Sequence, residues 1–484
     1  MAKVKQHVRF LGYGTFIFLS VGYWSGFVTA DEPTWKAGFA RAKITPEKPF
    51  WMAGFAKRTR PADGTLHDLW IKVLVLEDAR GHVGVVLTSD LLGIPKGMYE
   101  HLFGVLHEKH GLDRDQIMLT ASHTHSGPVL CDALYDIYPL DDEQRARVEE
   151  YSRFLERTIL QTVARAMASR SPATLRAGLG RCDFAVNRRT NVETHLPEML
   201  RRGQKPKGPS DDRVPVLAVR HPNGELLAVV FGYAAHPSAL NQEPYRYSGD
   251  YAGISQTALQ QKYPNAQAMF FQGCGSDQSA APRGTLQRCE AMGRQLAESV
   301  ETVLERPMAP VDPCLRTSFT FVSLAFEPVR REALEKTASH PSYPGRWARR
   351  LLGELDAGKR FARSYPEYPV QAWRLGNDQL WIALGGEVAV EYALWFKRRF
   401  GPRTWVAGYT NDVMAYIPSR QIWEEGGYQA GAFEVYGLPA ARWAPDIQAR
   451  ITGSVERLVA EELALPHSSA EMHTNRNCPT LKEP

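Results

Sequence analysis

Short apolar, β-branched runs in this chain end abruptly in clusters of polar residues, and this pattern limits the fold more than any other feature. Val83 to Ser89 leads into Asp90; Ile117 to Ala121 leads into Ser122-His123-Thr124-His125-Ser126-Gly127-Pro128; Leu226 to Tyr233 leads into His236-Pro237. Met269 to Phe271 leads into Gly273-Cys274-Gly275-Ser276-Asp277-Gln278-Ser279, and Leu380 to Leu384 into Gly385-Gly386-Glu387. Such runs read as buried strands, and the longer stretches between them carry helical period, as in the helix expected over Val388, Val390, Ala393 and Trp395. The alternation predicts an α/β protein with a mixed β-sheet flanked by helices. In open sheets of this kind ligands sit beyond the carboxyl ends of the strands, so the active site is expected there, where the clusters converge if their strands share one sheet.

The pattern runs from about Ala37 to Leu463 without an internal repeat or low-complexity linker, which predicts one catalytic domain over 31–465 and an unstructured tail over 466–484. Arg201 to Ser210 is expected to be a surface loop. Ahead of the domain, Lys3, Lys5 and Arg9 precede an uncharged stretch from Leu11 to Val28, then Val28-Thr29-Ala30. Residues 1–30 therefore read as a secretory signal peptide cut after Ala30, giving a secreted or periplasmic protein; the competing reading is an N-terminal membrane anchor. The formal net charge is +5, three of it in that leader, and so weak a balance argues against a nucleic-acid partner. The six cysteines, Cys131, Cys182, Cys274, Cys289, Cys314 and Cys478, include no C-x-x-C pair, which removes a thiolate zinc ribbon or redox motif.

The polar clusters suggest chemistry. In extended backbone His123 and His125 point to one side, as two ligands, or a ligand and a proton carrier, require; hydrogen-bonded loop histidines are the plainer alternative. His236 is either packed at a sheet end or a ligand, and Glu387 either faces a helix dipole or supplies an oxygen ligand. Two histidines and a carboxylate with an open position suit zinc, although that ligand count also admits iron or manganese. Ser279 sits in a Gly/Ser/Asp loop able to expose a hydroxyl and backbone N–H groups, without the G-x-S-x-G elbow of α/β-hydrolases. Arg188 could hold a polar substrate group, and Tyr416 and Tyr428 could ligate a metal or donate to an oxyanion, although most tyrosines simply pack.

Taken together, Ala121-Ser122-His123-Thr124-His125-Ser126-Gly127-Pro128, Ala235-His236-Pro237, Leu384-Gly385-Gly386-Glu387 and Asn411-Asp412-(x)3-Tyr416-Ile417 resemble the ordered signatures of the neutral/alkaline, non-lysosomal ceramidase family. The segments from Ala37 to Pro46 and Leu66 to Val73 are similar to that catalytic domain as well. The resemblance implies a zinc-dependent amidohydrolase that cleaves the N-acyl amide bond of ceramide, or of a related N-acyl lipid, to fatty acid and amine. It implies zinc ligation by His123, His236, Glu387 and Tyr416, with His125 beside the metal. Tyr428 would donate to the oxyanion, Arg188 would hydrogen-bond in the pocket, and Ser279 would be the family's essential serine. The implied partner is a small-molecule lipid amide, with room for a peripheral membrane contact to reach it.

The chain also departs from the family. Its serine element reads Ser276-Asp277-Gln278-Ser279-Ala280-Ala281, which keeps the aspartate and the serine of Gly-Asp-x-Ser-Pro-Asn and lacks the other three residues. The length is expected to exclude the family's immunoglobulin-like C-terminal domain. The alternative function is a secreted metal-binding protein on the same fold that is non-catalytic or differently specific.

Overall fold

Alternate residues of the apolar runs face different layers, as period-two strands require. Val85 and Leu87 pack with the helices Lys96–His110 and Asp142–Ala168, while Val86 between them packs with Trp373, Trp381 and Trp405 of a second sheet. In that second sheet Leu380, Ile382 and Leu384 face the helices Val390–Phe400 and Ile447–Arg457, while Trp381 and Ala383 face the first sheet. The computed structural model describes residues 34–48, 50–242 and 245–463, so the expected leader over 1–30, the tail over 466–484 and Cys478 lie outside the described residues. The result is two stacked sheets with helices on their outer faces. Gly84 lies at a close approach of the two sheets, since a Cβ there would stand 2.8 Å from both Leu315 and Trp373.

The first sheet has nine strands. Its main path runs Gln267–Gln272, Leu226–Tyr233, Arg213–Arg220, Ser171–Arg181, Trp35–Lys43, Trp70–Glu77, Val83–Ser89, Ile117–Ala121, and Ala309–Val311 pairs with Ser171–Arg181 off that path. The second has five, in the order Trp405–Ala407, Gln379–Leu384, Ser364–Leu375, Leu315–Pro328, Ala440–Trp443. Both are mixed, as expected: Val83–Ser89 with Ile117–Ala121, Leu226–Tyr233 with Gln267–Gln272, and Gln379–Leu384 with Trp405–Ala407 are parallel pairs. The strands that end in polar clusters therefore do not share one sheet, since the Glu387 cluster follows a strand of the second.

Convergence comes instead from a short strap of chain. Residues 407–411 leave the second sheet and hydrogen-bond to the two outermost strands on the main path of the first. Gly408 N–H donates to Gln272 O (3.1 Å), Ala121 N–H to Tyr409 O (3.2 Å) and Asn411 N–H to Leu119 O (2.7 Å). Tyr409 and Asn411 reach these partners with φ of +53° and +65°, a left-handed backbone that Asn tolerates better than most residues. The Asn411 side chain is engaged at both its oxygen and its nitrogen, accepting from Leu119 N–H and donating to Gln371 Oε1, each at 3.0 Å.

A second expectation is also corrected. Val388 belongs to a two-residue strand, Glu387–Val388, paired in parallel with Tyr416–Ile417, and the helix begins at Val390. The ladder holds the backbone on both sides, through Glu387 N–H to Ala415 O and Ala389 N–H to Ile417 O. Asn411→Ala should cost about 2–4 kcal/mol, because it orphans two buried partners and loses the residue type suited to this backbone. A lower urea midpoint at unchanged m-value would show it; an unchanged midpoint would show that the strap does not need this side chain.

Candidate active site

The strand Ile117–Ala121 ends two residues before the loop turns back, and His123 makes that turn with φ of +61°. The expected extended arrangement is therefore not what brings His123 and His125 together. Each is fixed separately. His123 Nδ1 lies 2.6 Å from Leu92 O, Thr124 Oγ1 donates to Ser248 O (2.7 Å), and His125 N–H donates to Pro237 O (3.0 Å). The Arg58 guanidinium, 2% exposed, donates to the carbonyls of Ala53 and His125 at 2.5 Å each. His236 N–H donates to Gln278 O (2.9 Å) and its Nδ1 lies 3.3 Å from Gly275 O. The three rings meet with centroids 4.6–5.1 Å apart.

Their protonation follows from their partners. A carbonyl only accepts, so His123 and His236 carry hydrogen on Nδ1 and present a lone pair at Nε2. His125 Nε2, 2.8 Å from His236 Nε2, must then be the donor of that pair. Burial, reinforced by neighbouring positive charge, holds His125 and His236 well below the usual histidine pKa, so both are neutral at pH 7. Glu387 enters this group from the second sheet, with Oε2 3.3 Å from His123 Nε2 and 3.9 Å from His236 Nε2. His123 Nε2 and Glu387 Oε2 are buried without a hydrogen-bond partner. Lone pairs face lone pairs here, an arrangement that burial makes costly until a cation lies between them. The histidine group is compatible with a metal site, since His123, His125 and His236 each offer a nitrogen within 4.8 Å of the others.

The remaining expected residues adjoin this group. Tyr416 stands beside Glu387 in the parallel ladder, and its hydroxyl accepts from Arg188 Nη2 at 3.1 Å. Tyr428 stacks edge-on against Tyr416, with centroids 5.1 Å apart. Ser279 lies in a short strand, Gln278–Ala280, rather than a polar turn; it bridges to His236 and pairs with Val186, two residues before Arg188. Asp277 braces this strip, accepting from Val390 N–H (2.8 Å) and Asn187 Nδ2 (3.2 Å), and burial pushes its carboxyl up to about 6. Ser279, Arg188 and Tyr428 share the wall of a cavity of about 330 Å³. All eight residues singled out in the sequence thus fall in one connected constellation.

Residues 35–295, more than half of the chain, match the family model described as neutral/alkaline non-lysosomal ceramidase, N-terminal. This chain belongs to the neutral/alkaline non-lysosomal ceramidase family. A neutral ceramidase of Pseudomonas aeruginosa is 26% identical over 191 residues, which are 38% of this chain and 27% of that protein, so the alignment spans about a quarter of the relative's length. The crystal structure of neutral ceramidase from the same organism overlays with a TM-score of 0.68 at 19% identity, covering 92% of this chain and 77% of that one. A ceramidase complexed with C2 overlays with a TM-score of 0.66, also at 19% identity, over 92% and 78%. These overlays establish a shared fold.

Several residues of this ceramidase-family site were not singled out from the sequence. Tyr436 donates to Glu387 Oε1 at 2.5 Å, and the Tyr409 ring lies 4.3 Å from that of His123. Asp250, with φ of +56°, accepts from the N–H groups of Ala239 and Leu240, just after His236; a Ser-Gly-Asp ahead of a helical run was the available clue. Tyr436→Phe should weaken divalent-metal affinity roughly 10–100-fold, as loss of a hydrogen bond to a ligating carboxylate does. Zinc titration against a competing chelator would measure this, and unchanged affinity would exclude Glu387 from the metal site.

Proposed function

We propose that this protein is a zinc-dependent amidohydrolase that cleaves the N-acyl amide bond of ceramide or a related N-acyl lipid. The observation carrying this reading is the buried, partnerless pair His123 Nε2 and Glu387 Oε2, set beside a cavity walled by Ser279, Arg188 and Tyr428. His123, His236, Glu387 and Tyr416 would hold the metal, a nitrogen and oxygen donor set that suits zinc. Bound there, zinc supplies Lewis acidity that polarises a carbonyl and acidifies water.

The chain's own groups account for the rest. Neutral His125 and the Ser279 hydroxyl relay the proton that water loses as it adds to the carbonyl carbon. As the C–N bond breaks, that proton reaches the departing nitrogen, leaving a fatty acid and an amine. The Tyr428 hydroxyl donates to the oxyanion. Burial and the Glu387 charge hold the Tyr416 hydroxyl well above the usual phenol pKa, and Arg188, donating to its oxygen, works against them toward the ionised phenol that metal ligation needs.

The catalytic domain is assigned to 31–465 and the leader to export, which would give a secreted or periplasmic enzyme; among the described residues no helix is long and apolar enough to cross a membrane. Purified protein should release fatty acid from ceramide or from members of an N-acyl amide panel, lose this activity to a chelator and regain it with zinc. Chelator-resistant turnover would overturn the metal mechanism. Ser279→Ala should lower kcat by about 10²-fold or more with zinc content unchanged, whereas unchanged turnover would remove the serine from the chemistry.

A further inference from the structure

The cavity beside the catalytic groups has Val186 and Leu196 as its aliphatic lining and is otherwise walled by charged, amide and hydroxyl side chains, whereas the fatty half of an N-acyl lipid would seek an apolar wall. Arg188, Arg283, Glu193, Asn191 and Gln429 line it together with Ser279 and Tyr428. At about 330 Å³ it is near the lower end of the ~300–1,000 Å³ typical of small-ligand sites. It therefore accommodates one compact polar group.

Arg283 is held rigidly in this wall. Its Nε donates to Glu193 Oε1 (2.7 Å) and its Nη1 to Ser238 Oγ (3.1 Å), two residues beyond His236. The neighbouring Gly284 is stapled to the same segment, donating to Ala239 O (2.8 Å) and accepting from Gln242 N–H (3.2 Å). Among the described residues Nη2 of Arg283 has no partner, and the side chain is 22% exposed. Two guanidinium groups and one carboxylate on the wall leave one positive charge in excess. Arg189, the next cation along the chain, is already paired with Glu425. A planar donor fork locked on two sides and open on the third is preorganised for a carboxylate.

We infer that Arg283, with Arg188, forms a subsite for a carboxylate on the amine half of the substrate, so that N-acyl amino acids are preferred to neutral N-acyl amino alcohols. This rests on the amidohydrolase reading above. It places the aliphatic acyl group away from the charged wall and matches a monoanion to the single excess charge. Arg283 belongs to the stretch Ala280-Ala281-Pro282-Arg283 that follows Ser279, where this chain departs from the family's Pro-Asn.

The matched probes are N-dodecanoylglycine and N-dodecanoylethanolamine, which differ in carboxylate against hydroxymethyl, with ceramide as a third substrate. The wild-type zinc enzyme should favour the glycine conjugate by roughly tenfold or more in kcat/KM, the scale of one charge-assisted hydrogen bond. Arg283→Gln should lower that ratio by about tenfold. Glu193→Gln, which removes the competing carboxylate, should raise it, a change opposite in sign that a structural defect would not produce. A ratio that neither substitution moves, or a wild-type preference for the ethanolamide or ceramide, overturns the subsite while leaving the amidohydrolase standing. If no amide is cleaved, the amidohydrolase reading fails instead, and calorimetry decides the subsite: N-dodecanoylglycine should bind wild type more tightly than Arg283→Gln, and equal or absent binding overturns it.

Discussion

Three backbone hydrogen bonds from residues 408–411 to the two outermost strands on the main path of the first sheet are the constraint on which the site depends. Outermost strands leave a row of unpaired donors and acceptors, which proteins must cover or blunt. Here the covering chain comes from the second sheet. It runs between Gln272 and Leu119, so the loops that follow both strands are drawn to the chain that carries Asp412 and Tyr416. The cost is two non-glycine residues in left-handed conformation, Tyr409 and Asn411, which the surrounding hydrogen bonds hold in place. The tryptophans Trp373, Trp381 and Trp405 fill the space between the sheets and give the strap a rigid base.

On that base the fold assembles a cluster of acceptors. His123 has Nδ1 committed to a carbonyl and Glu387 has one oxygen committed to Tyr436, which leaves His123 Nε2 and Glu387 Oε2 for the centre, while His236 Nε2 accepts from His125. Around this centre lie two cations that donate to backbone carbonyls: Arg58 bonds to Met52, Ala53 and His125, and Arg188 bonds to Ser276 O. Burial, reinforced by the positive charge of these arginines, keeps the neighbouring His125 and His236 imidazoles neutral, which is the state ligation requires.

The strands were legible because an apolar run bounded by polar clusters has few other ways to fold. Val83–Ser89, Ile117–Ala121 and Leu226–Tyr233 have the ends their sequences announce. The boundary after Leu384 was misread, since Val388, Val390 and Ala393 fit a helical face while Val388 is taken by a ladder to Ile417. Pairing with a strand nearly thirty residues away leaves no trace in local periodicity. The same holds for His123, whose convergence with His125 rests on a positive φ and a carbonyl at Leu92. Tyr436 closes a four-residue helix, Phe433–Tyr436, and Arg283 lies in a short loop, and nothing local distinguishes them from tyrosines and arginines that merely pack or face solvent.

By itself the sequence determined the layer class, the strands and the residue types of a nitrogen and oxygen donor set, because hydrophobic period and side-chain chemistry are local properties written one residue at a time. Tertiary structure decided that the strands form two sheets, that the strap joins them, that Ser279 lies in a strand against His236, and that Arg283 lines the cavity beside Ser279. Those outcomes depend on which distant backbone donors and acceptors find one another. That is a property of the packed whole, because a buried polar group is stable only with its partner in place.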